Sequence, residues 1–369
     1  MGRILMVSKP IAPPWNDSSK NLVRDLAGHL ERHEAVTLCR RGDPALASRH
    51  CERIYPAGSG AFAPALRDNA IVLARLLAGR RHDLWHFFFA PNPRSSKACE
   101  LAARVRGAPT VQTVCSAPAE GSDPNELLFA DRTVVLSEHT EQRLLAAGVP
   151  PESLRRIPPC SQPLSPLSPE TRSEMRGALG IGDSTPMLVY PGDLEFSRGA
   201  ARCLETLAAL GDRSDVTLVM ACRAKTAAAR AAEAQLRELA GRLGLGPRVR
   251  WVGETDRIHD LIGCADVVLL PSETLFAKMD LPMVLIEAMF LARPALVLEG
   301  TPAAELAEQG GARAVEHRAD ALTAAVVELL DGPDARTRLG LRAREVAIER
   351  YHPDAMAGAY EALYDELLV

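Results

Sequence analysis

The feature that most constrains this chain is an alternation of short β-rich runs with longer helical stretches, broken once by proline. In the first half the strand candidates are Arg3–Ser8, Ala35–Cys39, Asp83–Phe88, Pro109–Thr113 and Thr133–Leu136, with helical stretches such as Ser18–Arg32 and Phe62–Ala78 between them. In the second half strands are expected at Pro186–Tyr190, Val216–Ala221, Val249–Val252, Val267–Leu270 and Pro294–Val297, separated by helices near Ala200–Leu210, Thr226–Leu243 and Leu285–Leu291. Alternation of this kind predicts an α/β architecture, a parallel sheet covered by helices on both faces. The interruption runs from Pro158 to Pro169 and carries five prolines in twelve residues. Such a stretch favours extended backbone and continues neither a helix nor a central strand. It reads as a linker over 159–170 between a first domain over 1–158 and a second over 171–352. A length of 369 residues agrees with two domains.

Several function classes are excluded early. The formal net charge of −4 lacks the clustered surplus of cations that a general nucleic-acid binder needs. The apolar run near Met1 is too short for a signal-peptide core, and no later stretch approaches the roughly 20 apolar residues of a membrane span. The eight cysteines form no C-x-x-C pair and are expected to be reduced thiols, which points to the cytoplasm. There is no phosphate loop of the G-x-x-x-x-G-K-[ST] type and no G-x-S-x-G elbow. The glycines at 177, 180 and 182 and at 241, 244 and 246 precede strands, whereas a dinucleotide fingerprint follows one. His29 and His33 lack the neighbouring Glu of a zinc-protease helix, so no metal site is expected.

Other segments carry positive information. Ala265-Asp266-Val267-Val268-Leu269-Leu270-Pro271-Ser272 is a strand ending in Pro-Ser, followed by Leu281-Pro282-Met283-Val284-Leu285-Ile286-Glu287-Ala288-Met289 and Ala292-Arg293-Pro294. Upstream stand Val135-Leu136-Ser137-Glu138, Gly148-Val149-Pro150, Tyr190-Pro191-Gly192 with Arg198-Gly199, and Trp251-Val252-Gly253. This ordered set resembles the GT-B glycosyltransferases of the retaining, group 1 or family 4 type, which carry an E-x7-E pattern. The resemblance implies two Rossmann-like domains facing across a cleft, with a final helix over about 353–369 crossing back to the first. It implies a nucleotide-diphosphate sugar, UDP- or GDP-linked, on the second domain. An acceptor (a small molecule, natural product, glycan or lipid) would bind the first. The reaction implied is sugar transfer with retention, without metal or covalent cofactor, in a cytoplasmic protein that binds no nucleic acid and has at most peripheral membrane contact.

Site residues follow from the same resemblance. Glu287, opening a helix, is expected to accept hydroxyls of a ribose. Arg198 stands at the family's phosphate-binding cation. Asp193 occupies the place of a second cation, which puts a carboxylate beside a diphosphate; Arg223 and Lys225 are candidate replacements. Gly192 and Gly253 shape the neighbouring turns. The first Glu of E-x7-E is absent: Met279 stands there, flanked by Lys278 and Asp280. Asp280 meets the donor sugar with a one-residue shift, or Lys278 and Asp280 form a structural pair, or the loop reads a different donor. The catalytic set is therefore Arg198, Lys225 and Asp280. In the first domain, Asp17-Ser18-Ser19 replaces the family's Gly-Gly turn. Asp17 or Ser18 would cap a helix. Lys20 opposes the helix dipole, so it either faces an anionic ligand or is solvated. Trp15, beside Asn16, either stacks on an acceptor ring or packs its loop. His86 and Asn92 lie near the same edge, and Cys115 replaces a family His. Two other readings remain open, a sugar-nucleotide epimerase using Asp280, Glu273 and Asp193, and a non-catalytic binding protein. Only five of the 43 basic residues are lysine, and four of them (Lys9, Lys20, Lys225 and Lys278) fall on these loops.

Overall fold

A computed structural model describes residues 1–43, 50–58, 65–90, 92–119, 121–211, 213 and 215–368. The chain divides into two compact units, Met1–Gln162 with Phe276–Met283 and Tyr351–Val369, and Pro163–Leu275 with Val284–Arg350. The loop 276–283, which the sequence analysis assigns to the second domain, thus belongs with the first unit.

The first unit is built on seven parallel strands: β1 (Arg3–Val7), β2 (Glu34–Arg40), β3 (His50–Tyr55), β4 (Leu84–Phe88), β5 (Thr110–Val114), β6 (Arg132–Val135) and β7 (Leu154–Arg156). Their order is β3-β2-β1-β4-β5-β6-β7. The second unit has six, β8 (Met187–Tyr190), β9 (Thr217–Ala221), β10 (Val249–Val252), β11 (Val267–Leu270), β12 (Ala295–Leu298) and β13 (Arg313–Val315), in the order β10-β9-β8-β11-β12-β13. Every pairing is parallel. The central strands are continuous buried apolar runs because helices cover both faces. Strands β3, β7 and β13 were not foreseen. They lie at sheet edges, where one side lacks a neighbour and polar residues suffice, as in His50-Cys51-Glu52-Arg53.

Boundaries are set by caps. The first helix runs over Ser18–His29, not to Arg32, since Leu30 turns extended. The freed amides of Glu31 and Arg32 donate to the Glu361 carboxylate at 2.7 and 2.5 Å, a cap from the C-terminal helix Pro353–Leu367. The helical stretch expected from Phe62 begins at Leu66; residues 62–64 lie outside the described residues. After the prolines, Ser168 caps the helix Pro169–Ala178 through the Thr171 amide at 3.2 Å. The C-terminal helix is tied to the first sheet by a buried polar chain. Tyr364 Oη is 2.6 Å from His86 Nδ1, His86 Nε2 is 2.7 Å from Thr113 Oγ1, and Thr113 Oγ1 is 2.9 Å from Tyr360 Oη. Burial pushes the His86 imidazole well below its usual range, so it is neutral.

Cys39 on β2 and Cys51 on β3 are joined as a disulfide, with Cα atoms 6.2 Å apart. This corrects the all-thiol expectation for that pair. Neighbouring parallel strands brought together two cysteines that carry no motif in the sequence.

At the same edge, Glu52 is bonded by Arg75 through Nε and Nη2, both at 2.5 Å, and lies 3.4 Å from His82. Burial alone would raise its carboxyl, but the neighbouring His82 and the hydrogen bonds from Arg75 override this and hold it at about 2. A carboxyl depressed on folding stabilises above its unfolded value of 4.5, and that contribution is lost as pH falls towards 2. Glu52→Gln is expected to lower stability at neutral pH and to flatten the acid limb of the unfolding curve between these values. Parallel wild-type and variant curves in urea titrations across that window would refute it.

Candidate functional site

In an open parallel sheet, ligands bind beyond the carboxyl ends of the strands, where successive connections leave in opposite directions. Each strand order fixes that point. In the second unit it lies between the adjacent strands β8 and β11; in the first it lies between β1 and β4.

At the end of β8, the Tyr190 side chain folds under its own loop and donates to the Asp193 carbonyl at 2.7 Å. This fixes Gly192, where a Cβ would sit 2.3 Å from Tyr190 Cζ. The Asp193 carboxylate accepts from the amides of Glu195, Phe196 and Ser197 at 3.0, 2.9 and 3.0 Å. Its charge is spent on the loop's own N–H groups, which explains how an acid is tolerated at that position. Across the switch point, Ser197 Oγ lies 3.1 Å from Ser272 Oγ, and the Arg198 amide donates to Glu273 at 2.8 Å. Glu273 also takes Arg202 at 2.5 Å. Glu273 is therefore a brace between the β8 and β11 loops. The Arg198 guanidinium is exposed and turns along its helix to Glu205 at 3.0 Å.

The strand ends continue outward in order. Arg223, after β9, pairs with Glu254 at 2.9 Å, next to Gly253 after β10. Lys225 is exposed at the start of the helix Ala227–Arg242. On the other side of the switch point, Glu287 lies on the helix Met283–Phe290 that follows β11. Its side chain is 15% exposed, and Oε1 is 3.5 Å from His259 Nε2. Among the sequence candidates, Gly192, Arg198, Arg223, Lys225, Gly253 and Glu287 thus share one edge of one sheet.

Asp280, Met279 and Lys278 do not join them. Asp280 is fully buried in the first unit, where Ser137 Oγ donates to Oδ2 at 2.8 Å and Thr140 Oγ1 to Oδ1 at 2.6 Å. Its amide donates to the Cys115 carbonyl at 2.9 Å. Burial raises its carboxyl, a shift opposed by these hydroxyls and by His139. Both carboxylate oxygens are spent on the start of the helix Glu138–Ala146, so Asp280 offers none to a sugar. This replaces its catalytic assignment with a structural one. Met279 is buried and Lys278 half-buried in the same segment. Cys115 is buried beneath it; burial pushes its thiol up to about 12, which leaves no thiolate at neutral pH.

In the β1 loop, Asp17 caps the helix through the Ser19 and Lys20 amides at 3.2 and 3.3 Å and pairs with Lys9 at 2.9 Å. Ser18 is the first helical residue and Asn16 is exposed beside it. Lys20 is buried rather than solvated. Its Nζ donates to the Pro14 carbonyl at 3.2 Å and lies 5.8 Å from the Trp15 ring, which also stacks with Arg24 at 4.9 Å. Trp15 packs its loop in this structure. Asn92 caps the helix Pro93–Arg106 through the Ser95 amide at 3.0 Å, and His86 is interior to the sheet. The residues that sequence reasoning missed are Ser137, Thr140, Glu273 as a brace, and His259. Ser137 and Thr140 were visible as a helix start, but nothing in the sequence paired them with residue 280.

The family described as Glycosyl transferases group 1 matches residues 171–346. That match falls mostly within the second unit. The chain as a whole has the GT-B fold. It superposes on Anabaena HepE in complex with UDP-glucose with a TM-score of 0.80, at 18% identity, covering 100% of both chains. Sucrose-phosphate synthase from Thermosynechococcus elongatus gives a TM-score of 0.78 at 19% identity, covering 100% of this chain and 99% of the other. In sequence, the chain is 27% identical over 200 residues to alpha-D-kanosaminyltransferase from Streptomyces kanamyceticus, covering 53% of this chain and 49% of that protein. It spans about half the length of the curated relatives that it first matches. Among the described residues, no three or more His, Cys, Asp and Glu side chains gather as a metal site. No described helix is long and apolar enough to cross a membrane.

Proposed function

We propose that this protein is a retaining glycosyltransferase that moves a sugar from a UDP-sugar to a hydroxyl acceptor in the cytoplasm. The observation that carries the reading is the group 1 domain's switch point. Arg198, Ser272 and Glu273 meet there, and Glu287 follows on the next helix. The UDP choice is supported by the fold shared with HepE, whose structure holds UDP-glucose. In the proposed reaction, the bond between the anomeric carbon and the β-phosphate oxygen breaks, and its electron pair leaves with UDP. The acceptor oxygen bonds the anomeric carbon on the same face and passes its proton to the departing phosphate oxygen. Charge grows on the diphosphate, so the chain's contribution is cations placed there, Arg198 with Arg223 or Lys225. Glu287 binds the ribose, and the acceptor falls to the first unit.

Incubation with UDP- and GDP-sugars tests this. Slow release of UDP with the sugar's anomeric configuration retained supports transfer. An isomerised donor would point to an epimerase, and saturable binding without turnover to a binding protein.

Arg198 and Arg223 are paired with the exposed carboxylates of Glu205 and Glu254, so a diphosphate has to displace them. Such pairs are worth about 0.2–1 kcal/mol. Glu205→Gln and Glu254→Gln are therefore each expected to tighten UDP binding about two- to fivefold by calorimetry. Unchanged affinity in both would remove these arginines from the site.

A further inference from the structure

A second concentration of charge lies at the opposite edge of the second sheet. Asp266 immediately precedes β11, and its Oδ2 accepts from the Met187 amide at 2.8 Å. Three guanidinium groups approach the same carboxylate: Arg172 at 3.0 Å, Arg176 at 3.7 Å and Arg336 at 3.9 Å. A fourth, Arg293, donates to the Ala265 carbonyl at 3.2 Å, beside Asp266. Arg176 is fully buried and committed to the carbonyls of Gly182, Cys264 and Thr185. The other three make fewer bonds: Arg172 donates to Asp266 itself at 3.0 Å, Arg336 to the Leu329 carbonyl at 3.3 Å, and Arg293 to the Ala265 carbonyl. Arg172 and Arg336 are each 25% exposed and Arg293 is half-buried. Among the described residues, the buried Nε atoms of Arg172 and Arg293 have no hydrogen-bond partner. Other acids near this edge are used elsewhere, Glu174 and Asp260 being held by Arg257 at 3.4 and 2.8 Å.

We propose that Arg172, Arg293 and Arg336 form an oxyanion site around Asp266, suited to a compact phosphate-type dianion. Three guanidinium groups facing one carboxylate, with Arg293 beside them, repel one another, and a dianion brings the surplus positive charge close to balance. Arginine forks suit tetrahedral oxyanions because each offers two parallel donors, and Arg172 and Arg336 reach the surface with part of theirs. Burial chiefly, with Arg172 and Arg336 adding to it and Asp266 opposing it, pushes the Arg293 guanidinium below its usual range. The site lies at the amino-terminal edge of the sheet, away from the carboxyl-end edge read as the donor site, so it stands or falls independently of the proposed function. It would bind a free phosphate group or the phosphate of a lipid headgroup by the same chemistry.

Calorimetry of the full-length protein with inorganic phosphate at fixed ionic strength tests it, using Arg336→Gln and Asp266→Asn. Arg336→Gln is expected to weaken phosphate binding about tenfold or more. Asp266→Asn removes the competing carboxylate and is expected to tighten it. Arg172→Gln replaces the second variant if Asp266→Asn does not fold, and is expected to weaken binding. Sedimentation with phosphatidylcholine vesicles containing phosphatidate separates the sources. Pelleting lost in Arg336→Gln assigns the site to a headgroup, and soluble phosphate binding lost without any vesicle effect assigns it to a free ion. Wild-type heats with phosphate equal to those with chloride, or equal phosphate affinity in Arg336→Gln, would overturn the proposal.

Discussion

Glu287→Ala is expected to weaken UDP binding by about 2–4 kcal/mol, roughly 30- to 1,000-fold, with little change in stability. The estimate follows from chemistry and position. A carboxylate that accepts two ribose hydroxyls makes two charge-assisted hydrogen bonds, and an alanine makes none. Glu287 is partly exposed and its carboxylate lies 3.5 Å from His259 Nε2, a long contact, so the fold loses little. Glu287→Gln keeps one acceptor oxygen and should fall between the two. Calorimetric titration with UDP, with circular dichroism as a control for folding, measures this. An alanine variant that binds UDP as tightly as wild type would remove Glu287 from the nucleotide site and, with it, the main support for the donor assignment.

Asp280→Ala is expected to do the reverse, costing about 2–4 kcal/mol of stability in the first unit while leaving UDP affinity within about threefold. Removal of the carboxylate strands the hydroxyls of Ser137 and Thr140 in the interior and opens a cavity beside Met279 and Cys115. Urea unfolding followed by circular dichroism reads the loss. Collapse of UDP binding in a variant of unchanged stability would instead return Asp280 to the donor site. The pH dependence adds a second check. Burial raises the folded-state carboxyl above the ordinary aspartate value of 3.8, so folding shifts the group towards its protonated form. Its contribution is largest below 3.8 and shrinks as pH rises through the folded value. Wild type should therefore lose stability relative to Asp280→Asn with rising pH across that window.

Much of the sheet architecture was legible because parallel strands buried on both faces leave continuous apolar runs. Leu84–Phe88, Met187–Tyr190 and Val267–Leu270 could hardly be anything else. The edge strands were not legible, because β3, β7 and β13 satisfy fewer packing constraints and carry ordinary polar sequence. The candidate site divides in the same way. Gly192, Arg198 and Glu287 could be placed because each lies a short, fixed distance along the chain from a strand end. Asp193 was read as a repulsive intruder, since its sequence position does not show that three amides of its own loop converge on it. Lys20 was weighed as solvated or ligand-facing and is buried, with Nζ donating to the Pro14 carbonyl. Its burial depends on how the Pro14–Trp15 loop folds over it.

The sequence by itself determined the two α/β units, the proline break between them and the group 1 pattern of strand-end residues. All are local, set by periodicity, turn chemistry and spacing within a few residues. Only the tertiary structure decided what the side chains near those ends hold. It joined Cys39 to Cys51, turned Glu273 into a brace, gathered three arginines on Asp266, and carried Asp280 into the first unit against Ser137 and Thr140, about 140 residues away in the chain. These are pairings of distant residues whose energies come from burial and hydrogen-bond geometry, and neither exists until the chain has folded.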